Sequence, residues 1–449
     1  MPTPTQLRLG FADSEEIPEA QIPGISNGRA NKLDPQDRAF HDWYRFVLSF
    51  PPHLVRDYLG KFVLNQKSVV LDPFCGTGTT LVEVKLAGMK AVGLEGNPFP
   101  HFASSVKTDW NLNARELSRR AREVAEAARG ILKSQGVDDD LSFGDSKGLN
   151  LRTLSSDAEK LILANSISPL PLHKTLVLFE CLKELEAEPF YRHALLALGN
   201  ALVFKISNLH FGPEVGVRKP KADVPVLSNW LLEINKIASD LGQVAGKSFP
   251  EADVHLADAR ILDMIEPNSV DAVITSPPYP NEKDYTRTTR LESVLLGFIK
   301  NKEELRALKK RLVRSNTRGI YKGDDDDQWV AEVPEIQRIA DAIEKRRMEL
   351  GKDSGFERLY PRAAKLYFGG MAKHLSDLRK VLRPGAHLAY VVGDQASYLR
   401  VMIKTGQILG DIAQKLGYEL VNIDLFRTRL ATATKEQLRE EVLILRWGG

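Results

Sequence analysis

The chain has 449 residues, 43% hydrophobic and 27% charged, which bounds it to a soluble globular protein of one large domain with insertions, or of two or three domains. Its 62 basic residues nearly balance 59 acidic ones, so any surface for nucleic acid must come from local clustering. Cys75 and Cys181 form no CxxC pair, the nine histidines lack ligand spacing, and no apolar run is of membrane-spanning or signal-peptide type; this argues against a metal site and makes the cytoplasm the expected location.

Residues 1–36 are rich in Pro, Gly and polar residues without sustained period, the pattern of a flexible arm. From His41 to Phe62 the pattern is helical, broken at Pro51-Pro52. A short buried strand at 68–71, apolar residues at helical spacing over 79–87, and a second strand over 90–94 ending at Glu95 make a βαβ start. From Leu112 to about Gly246 the reading is mainly helical, with helices over 114–133, 191–206 and 227–245 and a loop over 207–225. Strand patterns resume at 254–256 and 272–274. A charged helical stretch follows over 300–360, then a helix over 363–381 leading into the turn and buried strand of RPGAHLAYVVGD. A helix over 408–416 and strands over 419–425 and 441–446 close the chain. The expected architecture is α/β: a mostly parallel sheet with helices on both faces, its core split into 37–110 and 250–449 by a helical insertion over 111–249, with a second insertion over 300–360.

Two turns carry the chemistry. The first, LDPFCGTGTT, follows the first strand. Asp72 stands at the carboxyl end of that strand, where open α/β sheets bind ligands. Gly76 and Gly78 permit a tight turn and close backbone approach, and Thr79 and Thr80 start a helix whose N-terminus favours an anion. Glu95 ends the next strand, where an acid can bind both hydroxyls of a ribose. Glycines alone mark only a turn; Asp72, Pro73, Phe74 and Glu95 at these spacings make it a cofactor site.

The second turn, ITSPPY, ends the later strand. An exocyclic amino group on cytosine or adenine is a poor nucleophile, because its lone pair is delocalised into the ring. Accepting hydrogen bonds from its two N–H groups concentrates electron density on nitrogen. Ser276 Oγ can accept one and the Pro277 carbonyl the other, Pro277 and Pro278 fix the turn and remove competing N–H groups, and Tyr279 offers a face for an extruded base. Read without the first turn, the segment is equally a Pro-Pro loop with a packing tyrosine. The chain has no Pro-Cys pair for nucleophilic attack on a base carbon, so Cys75 is expected to pack.

DPFCGTGTT and TSPPY together resemble motifs I and IV of the S-adenosylmethionine-dependent amino-methyltransferases of DNA, across about a third of the chain. The resemblance implies a Rossmann-like methyltransferase sheet, S-adenosylmethionine as cofactor with its ribose on Glu95, and double-stranded DNA as substrate. VHLADAR resembles the family's adenine-contacting loop and would put Asp258 beside the adenine amino group; the alternative is that Asp258 is the N-cap of a helix over 260–264. GDSKG at 144–148 is a poorer rival for that role, and SFPPHLV at 49–55 falls where the family's N-terminal cofactor segment lies. Asn281, Asp284 and Tyr285 would line the base pocket or its rim, while Arg287 and Arg290 would hold phosphates or anchor a helix.

For DNA phosphates the basic stretches are Arg218, Lys219 and Lys221 in the loop HFGPEVGVRKPKADVP, and Lys302–Lys322, with eight Lys or Arg against two Glu; each is equally a solvated face. The acidic run 324–327 reads as a solvated loop. The order of motifs resembles the alpha arrangement of the family, which makes 111–249 a candidate target-recognition region. Ser at the head of SPPY leans toward N4-methylcytosine over N6-methyladenine. An RNA base methyltransferase and a non-catalytic nucleic-acid-binding subunit are the rivals. A cognate restriction enzyme is an expected partner, and a monomer is the default state.

Overall fold

The computed structural model describes residues 33–449 apart from 46–48, 141–147, 213, 282 and 431–436. The N-terminal arm, except its last residues, and most of GDSKG therefore lie outside the described residues. Short 3-10 turns at Pro35–Asp37 and His41–Trp43 lead to helix α1 (Pro52–Lys61), which starts at a proline whose missing N–H costs nothing in a first turn. Then come β1 (Val69–Asp72), α2 (Thr79–Leu86), β2 (Lys90–Glu95) and α3 (Pro98–Lys107).

The first insertion contributes α4 (Ala114–Ser134), α5 (Ser156–Glu159), α6 (Pro169–Lys183), α7 (Tyr191–Ala201) and α8 (Val226–Val244). Two details depart from expectation there. Helix α7 gives way to a π-helical turn at Leu202–Ile206 where one α-helix was expected to run on. The expected loop over 207–225 contains a two-stranded antiparallel ribbon, β3 (Leu209–Phe211) and β4 (Val215–Val217). Afterwards come β5 (Ala252–Leu256), β6 (Val270–Thr275), α9 (Tyr285–Thr288), α10 (Arg290–Leu295), α11 (Lys302–Arg311), α12 (Pro334–Glu349), α13 (Tyr360–Leu378), β7 (Leu382–Gly393), α14 (Thr405–Lys415), β8 (Tyr418–Leu430) and β9 (Gln437–Trp447).

Seven strands form one sheet in the order β5-β2-β1-β6-β7-β9-β8. The first five are parallel, and β9 runs antiparallel to both β7 and β8. The parallel strands read as β-branched apolar runs because helices cover both faces. From β1 the chain builds outward to β2 and β5, then returns to place β6 and β7 on the other side. The crevice between β1 and β6 is thus the topological switch point, where open sheets of this kind bind ligands. Leu71 pairs with Val273, so the Gly-rich turn after β1 and the Pro-Pro turn after β6 emerge side by side.

The first insertion is not a separate body. Leu117, Ala121, Val124, Ala128 and Leu132 make an apolar stripe along α4 that joins Trp230, Ile234 and Leu241 of α8. The same cluster continues into Trp43, Tyr44, Phe99 and Val106 beside the sheet. Each fully buried aliphatic or aromatic side chain contributes roughly 1.5–3 kcal/mol, so this shared core ties the insertion to the flank of the sheet.

Candidate active site

The turn after β1 is held from behind. Asp72 is fully buried, and its Oδ1 accepts from the Thr275 hydroxyl at 2.5 Å and from the Phe74 N–H at 3.1 Å. Burial pushes its carboxyl up to about 6. Thr275 directly precedes Ser276, so this contact fastens the ends of β1 and β6 to each other. Thr80 adds a second tie by donating its hydroxyl to the Ile274 carbonyl at 3.1 Å. Gly78 has φ +83°, and a Cβ there would lie 3.0 Å from Ser104 Cβ on α3, so only glycine fits. These three residues were expected to touch the cofactor. They instead shape the turn from beneath, while Pro73, Phe74, Gly76 and Thr79 line a cavity of about 620 Å³.

Glu95 lines the same cavity. Its Oε2 accepts the Gly76 N–H at 3.0 Å and its Oε1 the Asn97 N–H at 2.7 Å, and each oxygen keeps a further lone pair. Desolvation pushes the carboxyl up to about 7, against the pull of those backbone donors. Beside it, Gly96 gives its side-chain space to Leu312, whose Cδ2 would lie 2.7 Å from a Cβ there. Ala257 and Ala259 complete this end of the cavity. His374 fixes their loop: its Nδ1 donates to the Ala259 carbonyl at 2.6 Å and its Nε2 accepts from Tyr390 at 2.7 Å. Burial lowers that imidazole to about 4, so it stays neutral.

Asp258 lies between the two alanines but does not line the cavity. Its carboxylate accepts from the Arg260 N–H at 2.9 Å and from the Arg260 guanidinium and so caps a turn; the helix over 260–264 that the alternative to adenine contact expected does not form. Arg260 reaches on to Asp326, which is buried. Asp324 is taken by Arg314 at 2.8 Å through two nitrogens. Two members of the acidic run expected to be a solvated loop, Asp324 and Asp326, are therefore spent on internal arginines, while Asp325 is exposed.

At the end of β6, Ser276, Pro277, Pro278 and Tyr279 all line the cavity. The Ser276 hydroxyl donates to the Val391 carbonyl of β7 at 3.1 Å. A carbonyl can only accept, so the serine proton is committed there and Oγ is left as an acceptor. The Tyr279 ring lies over Gly393, where a Cβ would come within 3.1 Å of its Cε2. Asn281, Asp284 and Tyr285 also line the cavity. The cofactor turn and the Pro-Pro turn thus share one chamber, lined by both Glu95 and Ser276.

The residues fit an S-adenosyl cofactor. The chamber has the volume of a nucleoside-sized ligand with room for a base. Glu95 offers acceptors to a ribose, the small residues Gly96, Ala257 and Ala259 line the cavity with it, and a Cβ at Gly76 would meet nothing within 4 Å. A profile described as DNA methylase, of the N6/N4 type, matches residues 21–101, which span the Gly-rich turn and Glu95. The chain is 25% identical over 446 residues to the type II methyltransferase M.BsoBI of Geobacillus stearothermophilus, covering 91% of this chain and 83% of the relative. It is 23% identical over 477 residues to the type II methyltransferase M.AvaI of Nostoc sp., covering 98% and 92%. A shorter match of 27% over 99 residues links it to the type II methyltransferase M.MjaII of Methanocaldococcus jannaschii, covering 22% and 18%. The chain is an S-adenosylmethionine-dependent DNA amino-methyltransferase.

Sequence reasoning missed one wall of this methyltransferase's chamber. Residues 309–319, from the last turn of α11 onward, supply it, with Lys309, Arg311, Leu312, Ser315 and Asn316 among the lining. Lys309 pairs with Asp284 at 2.7 Å, and the Ser315 carbonyl accepts the Asn281 N–H at 3.0 Å. The available signal was the pairing of a basic run with an acidic one directly after it. Cys75 touches the chamber, and burial pushes its thiol up, away from the thiolate form.

The basic residues singled out for DNA divide. Arg218 and Lys219 are exposed beyond β4 and lie outside the chamber. Lys221 differs from them: its ammonium donates to the Lys205 and Ser207 carbonyls at 2.6 and 2.8 Å, where the π-helical turn leaves them without helical partners. Arg290 anchors its helix, donating to the Thr286 hydroxyl at 2.5 Å. Arg287 lies 3.7 Å from Glu214, at the tip of the β3–β4 ribbon, which reaches the chamber mouth. No helix among the described residues is long and apolar enough to cross a membrane.

Proposed function

We propose that the enzyme methylates the exocyclic amino group of a base flipped out of double-stranded DNA, cytosine N4 in preference to adenine N6. We read it as the modification half of a restriction–modification pair. The observation that carries this reading is the Ser276 hydroxyl, whose proton is spent on Val391 so that Oγ meets the chamber as an acceptor. Such an acceptor suits an amino group and not a ring carbon or a ring nitrogen acceptor. The type II relatives support the DNA substrate and the partnership.

The cofactor supplies an electrophilic methyl group on a sulfonium. The protein's own part is positioning. Ser276 Oγ and the Pro277 carbonyl accept the two N–H groups of the base and concentrate electron density on its nitrogen. Tyr279 stacks on the ring and holds it in place. Glu95 carries the ribose and Gly76 lets the backbone approach the methionine end. Outside the chamber, Arg218 and Lys219 on the first insertion grip phosphates, and residues 111–249, with the β3–β4 ribbon at the chamber mouth, read the duplex; a two-stranded ribbon is of a size that the major groove admits. Methyl transfer from labelled S-adenosylmethionine to mixed-sequence duplex DNA, followed by digestion to nucleosides, tests the reading. Label in N4-methylcytosine is expected; label only in N6-methyladenine moves the substrate, and label only with RNA overturns the DNA assignment.

A further inference from the structure

The catalytic turn contains two prolines, so the next backbone N–H after Ser276 belongs to Tyr279. In a four-residue turn that N–H ordinarily closes on the carbonyl of the first residue; left unpaired, it would be a donor beside the acceptors meant for the substrate. It is instead donated to the phenol oxygen of Tyr285, 3.1 Å away. Tyr285 is the first residue of α9, and α9 is itself clamped. Asp284 caps it by accepting the Thr286 N–H at 3.1 Å and the Thr286 hydroxyl at 2.6 Å. The other oxygen of Asp284 accepts from Lys309 at 2.7 Å, and the two side chains are only 8% and 13% exposed, so water screens the pair little. Lys309 belongs to α11 of the second insertion, and the strand of chain after it adds the Ser315 carbonyl on the Asn281 N–H and Asn316 Nδ2 on the Lys283 carbonyl at 3.0 Å.

We propose that Tyr285 is a positioning residue for methyl transfer: its phenol oxygen draws the Tyr279 N–H out of the Ser276–Tyr279 turn, and the Lys309–Asp284 pair fixes the helix that presents it. This rests on the reading of Ser276-Pro277 as the acceptor pair for a base amino group. The second insertion is then not a remote surface feature. It braces the catalytic turn, and the chain reaches across the chamber to do so.

The test uses the full chain. Tyr285→Phe keeps the ring and removes the acceptor. Its single-turnover methylation rate should fall about tenfold, the rate equivalent of one buried hydrogen bond, while cofactor affinity, DNA affinity and melting temperature stay near wild type. Lys309→Met should lower the same rate without moving cofactor affinity, and Lys309→Arg should restore most of it. A Tyr285→Phe rate within about twofold of wild type, or a loss matched by an equal fall in melting temperature, overturns the proposal. If wild type transfers no methyl group to DNA, the functional reading fails and this inference with it; an active wild type matched by an equally active Tyr285→Phe sinks the positioning role alone.

Discussion

Ser276→Ala separates chemistry from folding within one residue. Two interactions are lost. The first is the hydrogen bond to Val391, a neutral bond at 3.1 Å in a half-buried place. Its net worth to folding is about 0.5–1.5 kcal/mol, and removing a single oxygen opens no cavity of consequence. The second is made only with substrate. As the base nitrogen gains the methyl group it takes on positive charge, and its N–H bonds to Ser276 Oγ and the Pro277 carbonyl become charge-assisted. The loss of one pre-set group aimed at developing charge typically costs about 10²–10³ in turnover, roughly 2.7–4 kcal/mol. The chemical effect should therefore exceed the folding effect in free energy, by about 1 kcal/mol or more. The assay is single-turnover methylation at saturating cofactor, with cofactor affinity by calorimetry and a thermal melt alongside. The expected result is a rate lower by about a hundredfold, unchanged cofactor affinity and a small shift in the melt. A variant within about threefold of the wild-type rate would refute the acceptor role.

Two further outcomes follow from the site. Glu95 titrates near 7 because desolvation favours its neutral form, and protonation converts one acceptor into a donor. Cofactor affinity should be at its full value above that pH and weaken as pH falls through it, by up to about tenfold per unit if both hydroxyl contacts need the anion. Titration calorimetry across this range checks it, and a Glu95→Gln variant should lose the dependence; a flat profile in wild type contradicts the ribose assignment. On the DNA side, Lys219→Ala should weaken duplex binding and reduce the salt slope by about 0.9, one phosphate contact. Lys221→Met should instead lower the melting temperature and leave that slope alone, because its ammonium is already held by two carbonyls.

The sheet was readable because its parts are local. Val69–Asp72, the helix after it and Lys90–Glu95 each carry their own period and their own terminating residue, and the seven-stranded sheet follows from that alternation. Glu95 and Ser276–Tyr279 could be singled out because the chemistry admits few residue types there, and all of them line the one cavity. What escaped depends on long-range packing. Asp72, Gly78 and Thr80 sit in the signature segment, yet the approach of β6 and α3 turns them inward. For Asp258, adenine contact and a helix N-cap were both open, and only the placement of Arg260 shows its carboxylate engaged in capping a turn. Lys219 and Lys221 stand two residues apart in one loop, and nothing in the sequence says that a π-helical turn will leave carbonyls in reach of the second. The wall formed by 309–319 was hidden for the same reason: a charged amphipathic helix reads as a solvated face until Asp284 and Asp324 are seen against it.

The most direct test of the central claim is the identity of the methylated nucleoside. Wild-type enzyme, labelled S-adenosylmethionine and mixed-sequence duplex DNA should yield N4-methylcytosine after digestion, with Ser276→Ala giving about a hundredth of the label in the same time. Label confined to N6-methyladenine, or no label in DNA at all, would contradict the account.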